Sequence, residues 1–174
     1  MNIDADDFTL LGLPRTFALE RSQLDAAWKA LQAKVHPDRF AAEGTAAQRV
    51  AMQWAVRVNE AHQRLKDPLR RAAYLCELGG VSVGSENNTA MPSAFLMQQM
   101  QWREALDDAH DAAAVEAVAE EVGSERRARL ARLADLIDAQ AAFAAAAQEV
   151  RALMFMDRLL EDTDARLQRY EDAL

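Results

Sequence analysis

Four prolines, at positions 14, 37, 68 and 92, are spread through the first 92 residues, and none follows over the remaining 82. Between these breakers the apolar residues recur at helical spacing. Val, Ile, Thr and aromatic residues are sparse, six glycines are present, and Ala dominates the 51% hydrophobic fraction. Such a chain has little from which to build strands and much from which to build helices, so an all-α fold is expected.

The breakers divide the chain into helices. A short one is expected over residues 5–11, ending at Gly12 and Pro14. A second runs from Glu20 to Val35, with Leu24, Ala27, Trp28, Leu31 and Val35 on one stripe, and stops at Pro37. A third starts at Thr45, where Thr45 and Gln48 match a capping box. It carries the stripe Ala47, Val50, Trp54, Val58, Ala61 and Leu65 and ends at Pro68. The run "LRRAAYLCEL" makes a fourth helix, stopping at Gly79-Gly80. Residues 79–92, rich in Gly, Ser and Asn, read as a linker between a unit 1–78 and a unit 93–174. The second unit reads as a three-helix bundle over roughly 93–109, 112–137 and 140–172, with Gly123 as a possible break.

Charge is divided unevenly. Residues 1–77 hold 11 Lys+Arg against 10 Asp+Glu, whereas residues 78–174 hold 9 against 18. The net charge of −8 argues against nucleic acid as a partner. No apolar run approaches the length of a membrane span, and the acidic N-terminus "MNIDADDFTL" does not match a signal or transit peptide. One cysteine, Cys76, excludes an internal disulfide and fits a reducing compartment, and it reads as a packing residue of the fourth helix.

The candidate site of the first unit is "KVHPDRF". His36 and Asp38 could form an acid–base pair. No nucleophile motif, phosphate loop or metal-ligand spacing accompanies them, so neither metal nor cofactor is expected. As plain structure, Pro37 could simply end a helix in a turn. The surroundings add more. A helix with Arg21, Asp25, Lys29 and Gln32 on one polar face precedes the turn; "DDFTLLGL" stands upstream and "LKDPLRRAAYL" downstream. Over about residues 4–75 this combination resembles the J-domain, an antiparallel helical hairpin that stimulates a DnaK-type ATPase. The resemblance implies that the turn is a docking tip. Asp38 would pair with an arginine of the ATPase, His36 would offer hydrogen bonds, and Pro37 would restrict the backbone. Lys29, Lys34 and Arg39 would steer the acidic partner surface, and Phe40 would pack under the loop.

In the second unit, Phe95, Trp102, Leu106 and Ala109 share one helical stripe, enough to close a bundle. Leu96, Met97, Met100, Arg103 and Glu104 fall largely on the other side. On the last helix Phe143, Val150, Met154 and Leu167 share a stripe from which Phe155 points away. Leu96, Met97, Met100 and Phe155 either pack beneath the linker or the first unit, or form an exposed patch for a partner. With "AYL", "AFLM", "REALD" and "RALMFMDRL", nearly the whole chain resembles the HscB-type co-chaperones of bacterial iron–sulfur cluster assembly. The resemblance implies an L-shaped, non-catalytic cytoplasmic adaptor. An HscA-type ATPase would bind the first unit. An IscU-type scaffold would bind Leu96, Met97, Met100, Arg103, Glu104 and Phe155. Arg39 stands where lysine is commoner, Met100 where leucine is usual, and Gln101 where an acid is often found. No N-terminal cysteine pairs are present, so no zinc is expected. Two other readings stay open: a J-domain protein with a different client, and an enzyme using His36 and Asp38.

Overall fold

The computed structural model describes residues 2–84 and 91–172, which are helical with no strand among them. The helices are α1 (Asp7–Leu11), α2 (Arg21–Val35), α3 (Thr45–Lys66), α4 (Pro68–Leu78), α5 (Ser93–Asp107), α6 (Ala112–Ala134) and α7 (Phe143–Glu171). A 3-10 segment, Pro37–Glu43, joins α2 to α3, and a π-helical turn, Asp135–Ala139, prolongs α6. The fold is the all-α one expected. Most of the anticipated linker (85–90) lies outside the described residues, as do Met1 and 173–174. The contacts divide the chain into Met1–Leu75 and Cys76–Leu174. That division falls inside α4, three residues before the boundary read from composition.

In the first unit α2 and α3 form the antiparallel hairpin. Asp25, Trp28 and Gln32 on α2 meet His62, Asn59 and Ala55 on α3 in reverse order. The buried stripe is Leu24, Leu31 and Val35 against Ala51, Val58, Ala61 and Leu65. Helix α1 starts at Asp6, whose carboxylate accepts the amides of Phe8 and Thr9 and ends at Gly12. Asp67 starts α4 in the same way, accepting the amides of Leu69 and Arg70, with Pro68 at the first helical position. The "KDP" sequence therefore ends one helix and starts the next.

Three expectations about this unit need correction. Thr45 and Gln48 form no capping box: Gly44 holds the cap position at φ +93°, and no side chain caps α3. Thr45 is thus already helical and is one position too late to cap. Val50 is 53% exposed, and Ala51 takes its place in the core. The segment Pro37–Glu43 buries none of its own residues and leaves Val50 at the rim of a hollow that Phe40 and Trp54 also line. Lastly, the polar α2 face of Arg21, Asp25, Lys29 and Gln32 is turned partly onto α3. His62, buried, holds Asp25 at 2.7 Å and stacks on Trp28 with ring centroids 4.6 Å apart.

In the second unit α6 runs antiparallel to α5 and α7, and α5 and α7 run in the same direction. Phe95 meets Arg129 and Trp102 meets Glu121, while Phe95 meets Phe155 and Leu106 meets Arg166. Gly123 does not interrupt α6. Gly80, at φ +81°, closes α4 by sending its amide to Glu77 and that of Val81 to Cys76, a left-handed cap that favours glycine. A Cβ on Gly79 would come within 2.4 Å of the Phe143 ring. The last helix starts three residues later than expected, after Ala141 at φ +51°. Its stripe also differs: Val150 is buried, but Met154 is exposed and Phe143 and Leu167 are half-buried. The packed positions include Ala146, Ala147 and Ala152, where small side chains let neighbouring helices approach, and then Leu153, Met156 and Leu159. Weighting by side-chain size alone selects the rim.

Candidate docking surfaces

In the first unit, Val35 ends α2 and Pro37 opens the 3-10 segment, where its missing amide donor costs nothing and its fixed φ suits the turn. His36 sits between them in extended backbone, and its Nδ1 accepts the Asp38 amide at 3.3 Å. In a neutral ring the proton then resides on Nε2, which remains a free donor. The Asp38 carboxylate lies 3.6 Å from the ring, and the two side chains are 57% and 90% exposed. The tip therefore presents one donor and one carboxylate in open solvent on a stiffened backbone. No enclosing wall would strengthen their electrostatics.

Lys29, Lys34 and Arg39 are exposed around it. Lys34 stands in the last turn of α2, where a cation complements the helix dipole. Arg39 has an additional local role that its place in the motif did not disclose. Its guanidinium turns back to donate to the Ala33 carbonyl at 3.0 Å, satisfying an orphan acceptor at the end of α2. Phe40 is half-buried and borders an apolar hollow of about 460 Å³ with Val35, Val50 and Trp54.

Ion pairs join the helices elsewhere in the unit. Asp7 is fully buried, with Arg57 at 2.7 Å and Arg64 at 3.2 Å. Neither contact has well-aligned hydrogen-bond geometry, so the attraction is chiefly ionic. Burial works to raise the Asp6 carboxyl, but hydrogen bonds from Arg15 and Thr9, with the Arg15 charge, prevail and hold it at about 2. The Asp25 carboxyl is held below its usual range by the hydrogen bond from His62, helped by Arg21 and opposed by burial.

The second unit places its candidates differently. Phe95, Trp102, Leu106 and Ala109 are buried, as their stripe required. Leu96, Met97 and Met100 are 45%, 64% and 70% exposed. The patch is real within the described residues. Phe155 is half-buried at its edge: its ring meets Phe95 edge-on, centroids 6.1 Å apart, and the Arg103 guanidinium lies 5.3 Å above it. Glu104 is exposed beside Arg103. Below, the Trp102 indole donates to Glu121 at 2.9 Å, and Arg129 lies 4.7 Å over the Phe95 ring. A floor of edge-packed aromatic rings and an overlying guanidinium thus holds the helix that carries the exposed methionines. Met154, also exposed, was placed in the core by sequence reasoning.

Cys76 is buried, and burial together with the nearby Glu77 carboxylate raises its thiol to about 11, with Arg151 acting the other way. At neutral pH it carries little thiolate, the form that reacts and binds metals. Among the described residues no group of three or more His, Cys, Asp or Glu is arranged to hold a metal ion. No described helix is long and apolar enough to cross a membrane.

Comparison with known proteins adds kinship to this geometry. A family described as the HSCB C-terminal oligomerisation domain matches residues 91–164. A co-chaperone protein HscB homolog of Burkholderia mallei is 54% identical over 167 residues, spanning 94% of this chain and 95% of its own. A homolog of the same name from Burkholderia multivorans is 53% identical over the same length. Among solved structures, chaperone HscB from Vibrio cholerae superposes with a TM-score of 0.80 at 36% identity, covering 95% of this chain and 99% of its own. Human co-chaperone HscB reaches a TM-score of 0.87 over 95% of this chain and 84% of its own. Its 23% identity speaks for the shared fold alone.

Proposed function

This chain belongs to the HscB family of co-chaperones, J-domain proteins of iron–sulfur cluster biogenesis, and from that membership we propose that it is an adaptor with no catalytic activity of its own. Through His36, Pro37 and Asp38 it docks on an HscA-type ATPase and accelerates ATP hydrolysis, with Lys29, Lys34 and Arg39 steering the approach. Through Leu96, Met97, Met100, Arg103, Glu104 and Phe155 it holds an IscU-type scaffold. One chain carrying both contacts brings the client to the chaperone at high effective concentration. The setting is the bacterial cytoplasm, and neither nucleic acid nor membrane takes part. As domains, the reading assigns 1–78 to the chaperone and 93–174 to the scaffold.

The observation that carries this reading is the exposure of Leu96, Met97 and Met100, three large apolar side chains on a helix whose other face is already packed. Free energy favours covering such a patch with a partner. The enzyme reading of His36 and Asp38 is disfavoured by their openness to solvent. General acid–base work benefits from a tuned, partly desolvated pair, whereas docking needs exposure.

The test is His36→Gln in a chaperone ATPase assay. Stimulation should fall to the basal rate while scaffold affinity stays unchanged. Normal stimulation by the variant would refute the docking role of the turn.

A further inference from the structure

From Phe155 onward α5 and α7 run side by side, and between them lies a notch of about 280 Å³. Arg103, Arg166 and Arg169 line it with Asp107 and Asp162, above Leu106. Building on the scaffold-binding reading, we propose that this notch receives a carboxylate side chain of the same scaffold partner, extending the apolar patch into a charged one.

The arginines are not equivalent. Arg166 is built in: it donates to the Leu106 carbonyl at 2.5 Å and to Asp107 at 2.9 Å, which ties α7 to the end of α5 and neutralises that aspartate. Arg103 lies over the Phe155 ring. That contact uses the face of the guanidinium and leaves its N–H edge free. Neither Arg103 nor Arg169 has an ion-pair partner among the described residues. Elsewhere in the unit, Arg126, Arg129 and Arg132 are engaged by Asp157, Glu125 and Glu149. Arg151 and Arg158 also lack an ion pair among the described residues, but of the four unpaired arginines only Arg103 and Arg169 line this notch, in a half-chain where acids outnumber bases by 18 to 9.

The charge balance selects the guest. Three guanidinium groups against two carboxylates leave one positive charge, the match for a single carboxylate rather than for a phosphate dianion. Continuity fixes the source, because Arg103 borders both Phe155 and the notch. Asp162 follows Phe155 by seven residues, so the partner's acid should stand roughly 10 Å from its apolar contact.

The experiment is titration calorimetry of the full chain with purified apo scaffold of the IscU type, at roughly 0.05 and 0.5 M salt. Arg169 is exposed near the end of α7, so its replacement should spare the fold, which circular dichroism checks. Arg169→Glu should weaken binding about tenfold at low salt, with the gap narrowing at high salt, while Arg169→Lys should stay close to wild type. Wild-type affinity for Arg169→Glu, in a preparation where Leu96→Ala binds more weakly, would overturn the notch and leave the patch standing. Should Leu96→Ala also bind normally, the scaffold reading itself fails and the notch with it. A loss that does not narrow with salt would contradict a charge contact.

Discussion

In Met1–Leu75 the exposed tip is polar and proline-braced, on a unit that also buries ions; in Cys76–Leu174 the exposed patch is apolar and adaptable, and its support is aromatic. His36 and Asp38 stand on a proline-opened turn, backed by a unit in which Asp7 with Arg57 and Arg64, and Asp25 with His62, join helices distant in sequence. Leu96, Met97 and Met100 stand on a helix whose inner face is Phe95 and Trp102 against Arg129 and Glu121. The contrast matches two kinds of recognition. A hydrogen-bonding tip gains from geometry fixed in advance, because less freedom is lost on docking. A methionine-rich patch gains from side chains that can repack against an irregular surface.

The ionic support gives the largest expected effect. Asp7→Ala removes the one buried carboxylate facing Arg57 and Arg64 and should cost the first unit about 3 kcal/mol. Hydrogen exchange should show lost protection in α1 and α3 with α6 and α7 unchanged; equal loss in both units would erase the contrast drawn here. Next comes the apolar patch. Leu96→Ala combined with Phe155→Ala should cost about 2 kcal/mol or more of scaffold binding, on the scale of interface hot spots, and leave chaperone stimulation without scaffold intact. Unchanged affinity in a folded variant would return these residues to a packing role.

The smallest effect carries a pH signature. Asp6→Asn keeps a cap acceptor but removes the charge that faces Arg15 and the helix dipole, and should cost about 1 kcal/mol at neutral pH. Because the Asp6 carboxyl is held at about 2 in the fold, against 3.8 ordinarily, its stabilisation is fully present above the unfolded value. It is lost as pH falls through the folded one. The gap between wild type and Asp6→Asn should therefore be constant above about pH 5 and close as pH falls toward 2. A gap that widened on acidification would contradict the assignment.

How much of this could be read from sequence depends on how local the determinant is. The proline-stopped helix ends, the His-Pro-Asp turn and the split between the Phe95–Trp102 and Leu96–Met97 faces each depend on a few consecutive residues and helical arithmetic. The pairing of Asp25 with His62 was out of reach, since it requires the register of two helices on which the residues lie 37 positions apart. So was the fate of Val50, whose spacing is right but which the neighbouring segment leaves at the rim of a hollow. On α7 the buried alanines carried little hydrophobic weight, so periodicity chose Met154, which the bundle leaves exposed. The charged notch beyond Phe155 combines residues from two helices and was likewise invisible.

The most direct measurement of the bridging claim is a chaperone ATPase titration with and without scaffold, using wild type, His36→Gln and the Leu96→Ala, Phe155→Ala pair. The account predicts that scaffold increases the wild-type response, that His36→Gln stays at the basal rate in both conditions, and that the double variant stimulates normally without scaffold but gains nothing from it. A double variant that still responds to scaffold as wild type does would contradict the account.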